Sequence, residues 1–255
     1  MSYGLYAAVS GSMVQEKRME ILSNNLANVN TAGFKEDRPI FREIYNEVDT
    51  TIMLTDTASQ GSSMLAQKMD MGYLMFSGVK TDFSAGDMKY TGNPLDVAIN
   101  GPGFFVVNTP RGELYTRTGN FSINDKGELV THEGYSLKGK GESIKIEGTE
   151  ITIDRKGAVT VDKVVVDTLK LVDFEDYTAL RKVGDNLFED SGGGNVRKAE
   201  ECEIKHRTLE LSNINIVKEM VKMIDVLRLY ESYQKVIQSL DETTSRATRE
   251  VGAVG

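Results

Sequence analysis

Ile216-Val217-Lys218-Glu219-Met220-Val221-Lys222-Met223-Ile224-Asp225-Val226-Leu227-Arg228-Leu229-Tyr230 repeats its apolar residues at steps of three and four, a period that reads as an amphipathic helix. The stripe Ile216, Met220, Met223, Leu227 and Tyr230 continues through Ile237 and Leu240, with Gln234 inside it. Val217, Val221 and Ile224 widen its first half. Ser212, Asn213 and Asn215 stand where a cap is needed, and Glu231–Lys235 and Glu242–Arg246 have the i,i+4 spacing that supports a helix. The spacing predicts one long helix over 214–247.

At the other end, Leu5, Val9, Met19, Leu22, Leu26 and Val29 fall largely on one face, with Ser12, Gln15 and Glu16 interrupting it midway. This predicts a second helix over 3–29 that stops near Asn28–Gly33, where Asn30-Thr31-Ala32-Gly33 offers turn formers and a left-handed position. Helices so far apart in sequence do not easily finish a core on their own. They are expected to pack together and then against copies of themselves or relatives.

The middle of the chain changes character. Residues 36–88 show no sustained period, and Gly61, Gly72, Gly78 and Gly86 punctuate a stretch holding Met64, Met69, Met71, Met75 and Met88; it reads as an extended or irregular linker, and methionines suit adaptable contacts. From about 89 short β-rich runs alternate with turn residues, as in Val97-Ala98-Ile99, Gly101-Pro102-Gly103 and Phe104-Phe105-Val106-Val107. Residues 121–130 and 151–160 echo each other, each placing polar residues and a glycine between apolar strands, as a type I turn with a glycine bulge requires. A last strand is predicted over 203–210. The fold class is therefore α+β with a mainly β core: long N- and C-terminal helices, and a central antiparallel all-β domain.

Composition excludes several functions. Thirty Lys and Arg against 38 Asp and Glu leave a net charge of −8, with no basic cluster to displace counterions from nucleic acid. Apolar runs are too short to span a bilayer, so no membrane insertion is expected. The start, Met1-Ser2-Tyr3-Gly4-Leu5-Tyr6, lacks the basic and apolar segments of a cleaved secretory signal. Cys202, the sole cysteine, lies between Glu201 and Glu203, where acidic neighbours oppose nucleophilic use. His132 and His206 stand apart without metal-ligand spacing. No G-x-S-x-G elbow or P-loop occurs, Gly139-Lys140-Gly141 lacks a third glycine, and Asn124-Asp125-Lys126-Gly127 has too few oxygens for an EF-hand. No catalytic residue, metal site or cofactor is expected.

Three blocks carry a resemblance. Ser23-Asn24-Asn25-Leu26-Ala27-Asn28-Val29-Asn30-Thr31-Ala32-Gly33-Phe34-Lys35 closely resembles the signature of bacterial flagellar rod and hook proteins. Residues 93–105 with Tyr115-Thr116-Arg117-Thr118-Gly119-Asn120-Phe121, and residues 211–224, resemble the central β-domain and C-terminal helix motif of the same family. Within it the proximal-rod branch is the nearest likeness, through Leu169–Phe174, Gly184–Phe188 and the ending Tyr230-Glu231-Ser232-Tyr233-Gln234-Lys235. Leu209-Glu210-Leu211-Ser212 departs from relatives that often carry a glycine there.

The resemblance implies a non-enzymatic building block of the basal-body rod. Its terminal helices would form a coiled-coil-like layer, and subunits would stack into a hollow, torque-transmitting tube. The implied boundaries are 1–35 for the first helix and asparagine-rich turn, 36–88 for the linker, 89–205 for the β-domain, and 206–255 for the last helix, paired with 1–35. The assembly faces would be Leu5, Val9, Met19, Leu22, Leu26, Val29, Ile216, Met220, Met223, Leu227, Tyr230, Ile237 and Leu240. The signature turn would be Asn24, Asn25, Leu26, Ala27, Asn28, Thr31, Gly33 and Phe34, its asparagines bonding backbone groups where the helix ends and Gly33 supplying a conformation closed to other residues. Implied partners are copies of the chain, other axial proteins and the flagellar type III export apparatus, with a rod location in the periplasmic space and export without a cleaved signal. A distal-rod or hook-type protein, and a soluble β-domain adaptor or chaperone binding through its terminal helices, remain alternatives.

Overall fold

The computed structural model describes residues 3–46, 71–141, 143–199 and 202–252. In chain order its elements are α1 (Tyr3–Ala27), β1 (Asp37–Asn46), β2 (Met71–Thr81), β3 (Met88–Tyr90), β4 (Val97–Asn100), β5 (Phe104–Thr109), β6 (Gly112–Thr116), β7 (Ser122–Ile123), β8 (Leu129–Val130), β9 (Ser136–Leu137), β10 (Ile151–Ile153), β11 (Ala158–Val161), β12 (Val164–Thr168), β13 (Leu171–Phe174), β14 (Leu180–Lys182), β15 (Leu187–Asp190), β16 (Val196–Lys198), β17 (Glu203–His206), β18 (Thr208–Glu210) and α2 (Ile216–Gly252). The fold is α+β, with one helix at each end. The central part is not all-β as the sequence predicts: the Asp176 carboxylate accepts the Thr178 N–H at 2.8 Å and starts a 3-10 turn, Tyr177–Ala179.

One compact unit takes residues 1–23, 38–79 and 220–255. Here α1 buries Ala8, Ser12, Val14, Gln15, Ile21 and Leu22. Ser12 and Gln15 do not break the buried face but belong to it: Ala8, Ser12, Gln15, Met19 and Leu22 follow steps of four and three. On α2, Met223, Val226, Tyr230, Tyr233, Ile237 and Leu240 follow the same steps and are buried or half-buried. Gly11 lies against the Tyr233 ring and Gly4 against Leu240. No proline or glycine interrupts α2 before Gly252, which lets it run past the predicted end. The stretch read as a linker contains paired strands, β1 with β2. Phe41 meets Phe76 edge to face with ring centres 6.0 Å apart, and the Arg18 guanidinium covers Phe41 at 4.9 Å. Gly61, Met64 and Met69 lie outside the described residues.

The second unit takes residues 24–37 and 80–219. Its centre is the β5–β6 hairpin, within the strand order β14-β15-β6-β5-β9-β8-β7, with β13 also paired to β5 and to β16. Phe104-Phe105-Val106-Val107 is buried throughout. A run with no polar alternation belongs to a strand covered on both sides. Phe105 and Val107 join one core with Ile99, Leu129, Leu137, Ile144 and Val159. Phe104 and Val106 join another with Phe174 and Phe188, against which Phe83 and Tyr177 pack. The two echoing turns close identically. Asn124 and Asp154 each accept a backbone N–H two residues on, from Lys126 and Lys156, and Gly127 and Gly157 follow at φ +77° and +82°. The predicted last strand is split into β17 and β18 by Arg207 at φ 59°.

Candidate assembly site: the asparagine turn and the helix faces

The second unit brings the turn after α1 and the segment before α2 into one buried junction. α1 ends because Asn28 turns back on it: its Nδ2 donates to the Asn24 carbonyl at 2.9 Å, and its own carbonyl accepts the Thr31 N–H at 3.1 Å. Asn25, only 1% exposed, acts as a piece of strand. Its Oδ1 accepts the Asp37 N–H at 3.0 Å and its Nδ2 donates to the Asp37 carbonyl at 2.9 Å. The same Nδ2 reaches Glu219 Oε2 at 3.4 Å. Asn24 is exposed and contributes its carbonyl.

Gly33 then adopts φ +70°, and a Cβ there would stand 2.5 Å from the Arg117 carbonyl carbon and the Thr118 nitrogen. A left-handed residue pressed against fixed backbone must be glycine. Its N–H donates to the Glu210 carbonyl at 2.8 Å. Phe34 is covered by Lys182, whose Nζ lies 4.0 Å from the ring centre, donates to the Lys35 carbonyl at 2.6 Å and pairs with Asp37 at 2.8 Å. Burial pulls the Lys182 pKa down, and Asp37 opposes that.

Lys35 is fully buried. Its Nζ donates to Glu210 Oε1 at 2.6 Å and to the Ser84 carbonyl at 2.7 Å. Glu210, 2% exposed, also accepts the Gly86 N–H at 3.0 Å and faces Arg117 Nη1 at 3.5 Å. Arg117 donates to the carbonyls of Ile99 and Gly101 at 3.2 and 2.7 Å. Thus one carboxylate serves two buried cations, one following the turn and one just past the end of β6. Burial holds Lys35 below the usual lysine pKa, against the pull of Glu210. Asn213 completes the junction, accepting the Glu36 N–H at 2.8 Å and donating to the Asp82 carbonyl at 2.9 Å. Asn215 caps α2, its Oδ1 taking the Lys218 N–H at 3.0 Å.

The residues expected on assembly faces divide. Leu22 is buried, and Leu5, Met19, Leu26, Val29, Met223, Tyr230, Ile237 and Leu240 are half-buried within the chain. Val9, Ile216, Met220 and Leu227 are exposed. Val9 misses the buried stripe because Ala8 holds that helical position. With Val217, Val221 and Ile224, the exposed residues of α2 form a second apolar face, matched on α1 by Tyr6 and Met13. The sequence reading missed the ionic roles of Arg117, Lys182 and Glu210. Of the three only Glu210, between Leu209 and Leu211, stood out as a charge flanked by apolar residues; Arg117 between two threonines and Lys182 beside Arg181 carried no such signal.

Chemistry elsewhere is sparse. Among the described residues no group of three or more His, Cys, Asp or Glu could hold a metal, and no helix is long and apolar enough to cross a membrane. Burial pushes the Cys202 thiol up, away from the thiolate. His206 Nε2 lies 2.8 Å from the Pro94 carbonyl.

Comparison with known proteins matches three family profiles in chain order. They are the flagella basal body rod protein profile over residues 5–35, the flagellar hook protein FlgE/F/G D1 domain over 98–161, and the flagellar basal body rod FlgEFG protein C-terminal profile over 206–250. The chain is 33% identical over 263 residues to the flagellar basal-body rod protein FlgF of Caulobacter vibrioides, covering all of both chains. It is 34% identical over 257 residues to FlgG of the same organism, covering 93% of this chain and 95% of that one. Against FlgG of Bacillus subtilis it is 32% identical over 263 residues, covering 95% and 96%.

Proposed function

The chain belongs to the flagellar basal-body rod protein family, and we propose that it is a structural, non-enzymatic rod subunit that polymerises through its terminal helices. The observation that carries this reading is the second apolar face of α2: Val217, Met220, Val221 and Ile224 remain about half exposed or more although the opposite side of the helix is covered. Contiguous apolar surface of this kind marks a contact with another molecule, and a stack of copies supplies one at every step.

In this reading 1–35 and 206–255 pair as a coiled-coil-like layer, 36–88 links them outward, and 89–205 is the β-domain. The matching three-four steps on α1 and α2, and the Gly4–Leu240 and Gly11–Tyr233 contacts, support the layer. The Lys35–Glu210–Arg117 junction ties the turn after α1 to the segment before α2 within the second unit. The partners are further copies, other axial rod proteins and the flagellar type III export apparatus; the location is the periplasmic span of the basal body. A proximal position is supported by the match that runs the full length of a FlgF chain. Electron microscopy of basal bodies from a strain lacking the gene tests the function. Rods arrested before the hook are expected, and an intact rod and hook would sink it.

A further inference from the structure

Two neighbouring layers on the buried side of α1 break its apolar rule. At one, Gly11 offers bare backbone to the Tyr233 ring: a Cβ there would stand 2.5 Å from ring carbons Cε1 and Cζ and 2.9 Å from the hydroxyl oxygen. Any other residue must drive the ring away. At the next, one turn on, Gln15 is 5% exposed and its Oε1 has no hydrogen-bond partner among the described residues. Ser12, also buried, answers its own need by donating to the Val9 carbonyl at 2.9 Å; Gln15 Oε1 does not. An amide oxygen withdrawn from water without a donor opposes helix pairing.

The contacts define a register. One heptad back along α1 from Gly11 is Gly4, and one heptad on along α2 from Tyr233 is Leu240, whose Cδ1 lies 3.8 Å from the Gly4 Cβ position. The helices therefore run antiparallel with Tyr233 seated on Gly11. The remaining seam positions, Ala8, Met19, Leu22, Val226 and Ile237, do not specify that choice, because a heptad seam presents similar apolar side chains again after every two turns.

We propose that Gly11 and Tyr233 form a hollow-and-knob that fixes the register of α1 on α2 within one chain, and that Gln15 makes the alternatives unstable. Sliding one heptad so that Tyr233 faces Arg18 removes its hollow. Sliding the other way puts the ring on Gly4 but leaves Gly11 facing the smaller Val226, with a void in the seam. Gln15 subtracts from every register, so only the one that gains the full ring contact stays favourable. Polar groups in coiled coils are known to exchange stability for register in this manner. The inference rests on the helix pairing proposed above and adds which residues decide it.

Reporter cysteines test it, introduced into the full chain with Cys202→Ser and joined by a short bifunctional thiol reagent. Gly4→Cys with Leu240→Cys reports the observed register; Gly4→Cys with Ala247→Cys reports a one-heptad slip. The first pair is expected to join within single chains and the second to stay at background. Adding Gly11→Val should cut the first product at least about fivefold, an effect of roughly one hydrogen bond's worth of pairing free energy. Combining Gly11→Val with Tyr233→Ala should restore much of it, because the ring that met the new side chain is gone; this rescue separates a local clash from general misfolding. Gln15→Leu should raise the slipped or inter-chain product. An unchanged first product in Gly11→Val, or no first product in the parent chain, overturns the proposal. Rods built from chains cross-linked in another register would keep the rod function and reject this register.

Discussion

Lys35 Nζ stands 2.6 Å from Glu210 Oε1, with both side chains withdrawn from solvent. The first follows the turn after α1 and the second closes the last strand before α2, so one ion pair joins the two places where the chain passes between helix and β-structure. Glu210 also answers Arg117 and the Gly86 N–H, which makes the pair unequal. Glu210→Leu strands two buried cations and is expected to cost about 3–5 kcal/mol. Lys35→Met leaves Glu210 facing Arg117 and should cost less. Urea unfolding of both variants checks the order, and equal losses would contradict it.

Gly33 and Gly184 both have positive φ, +70° and +98°, but only Gly33 is pressed on backbone; among the described residues nothing lies within 4 Å of a Cβ at Gly184. Alanine at Gly184 should cost only the conformational strain, about 1–3 kcal/mol. Gly33→Ala should exceed that and displace Arg117 from Glu210. Thermal unfolding of the two single variants decides whether contact or conformation dominates.

Asn25 pairs the Asp37 N–H and C=O at once. Asn25→Ala strands both, at about 1–3 kcal/mol for each group left unsatisfied. Asn25→Asp keeps an acceptor for the N–H but loses the donor and sets a second carboxylate beside Glu219, so it should be no milder. Equilibrium unfolding, with amide exchange followed at Asp37, measures both changes. An Asp variant as stable as the parent would refute the donor role.

Tyr177 donates to Asp173 at 2.6 Å. Burial, then that bond, raises its pKa from 10.0 to about 12. A phenol raised in the folded state contributes stability that is complete below pH 10.0 and is lost as pH climbs through about 12. For Asp173 burial pushes upward, yet the bonds from Tyr177 and Arg197 prevail and hold the carboxyl below 3.8. Its contribution is therefore present above 3.8 and lost as pH falls through the lower folded value. Stability measured against pH should show Tyr177→Phe losing less than the parent over the alkaline window. Parallel curves there would exclude a role for Tyr177.

Met220 and Ile224 are about half exposed. Replacing both by Glu is expected to change monomer stability by no more than about 0.5 kcal/mol for each surface substitution, while abolishing incorporation into rods. Complementation of a deletion strain, scored by microscopy, reads assembly; unfolding of the purified variant reads stability. Normal rods from this variant would remove α2's outer face from the interface.

The parts legible in the sequence were those with a local cause. Three-four periodicity marked both helices, and Asn30-Thr31-Ala32-Gly33 marked the turn because only a glycine meets its backbone demand. The echo at 121–130 and 151–160 was legible because an Asx turn and a glycine bulge leave a short sequence imprint. The junction was not. Lys35 and Glu210 look like surface charges until chain topology brings them together from opposite ends of the unit. Ser12 and Gln15 looked like interruptions because period alone cannot tell a polar residue inside a seam from one that ends it. Val164, Val165 and Val166 form an apolar run, yet all three are exposed on β12, the outer strand of its sheet. Apolar runs report strand preference, and only topology says whether a neighbour covers the edge.

The seating of Tyr233 on Gly11 also imposes a schedule. Its two halves are far apart in sequence, so α1 leaves the ribosome long before its partner helix exists. Contacts of such sequence separation form late, because the intervening chain must first be closed into a loop. A single amphipathic helix is marginal in water. Until α2 has been made, then, the segment that forms α1 is available as an unpaired stretch of polypeptide, and only the later helix takes it out of circulation.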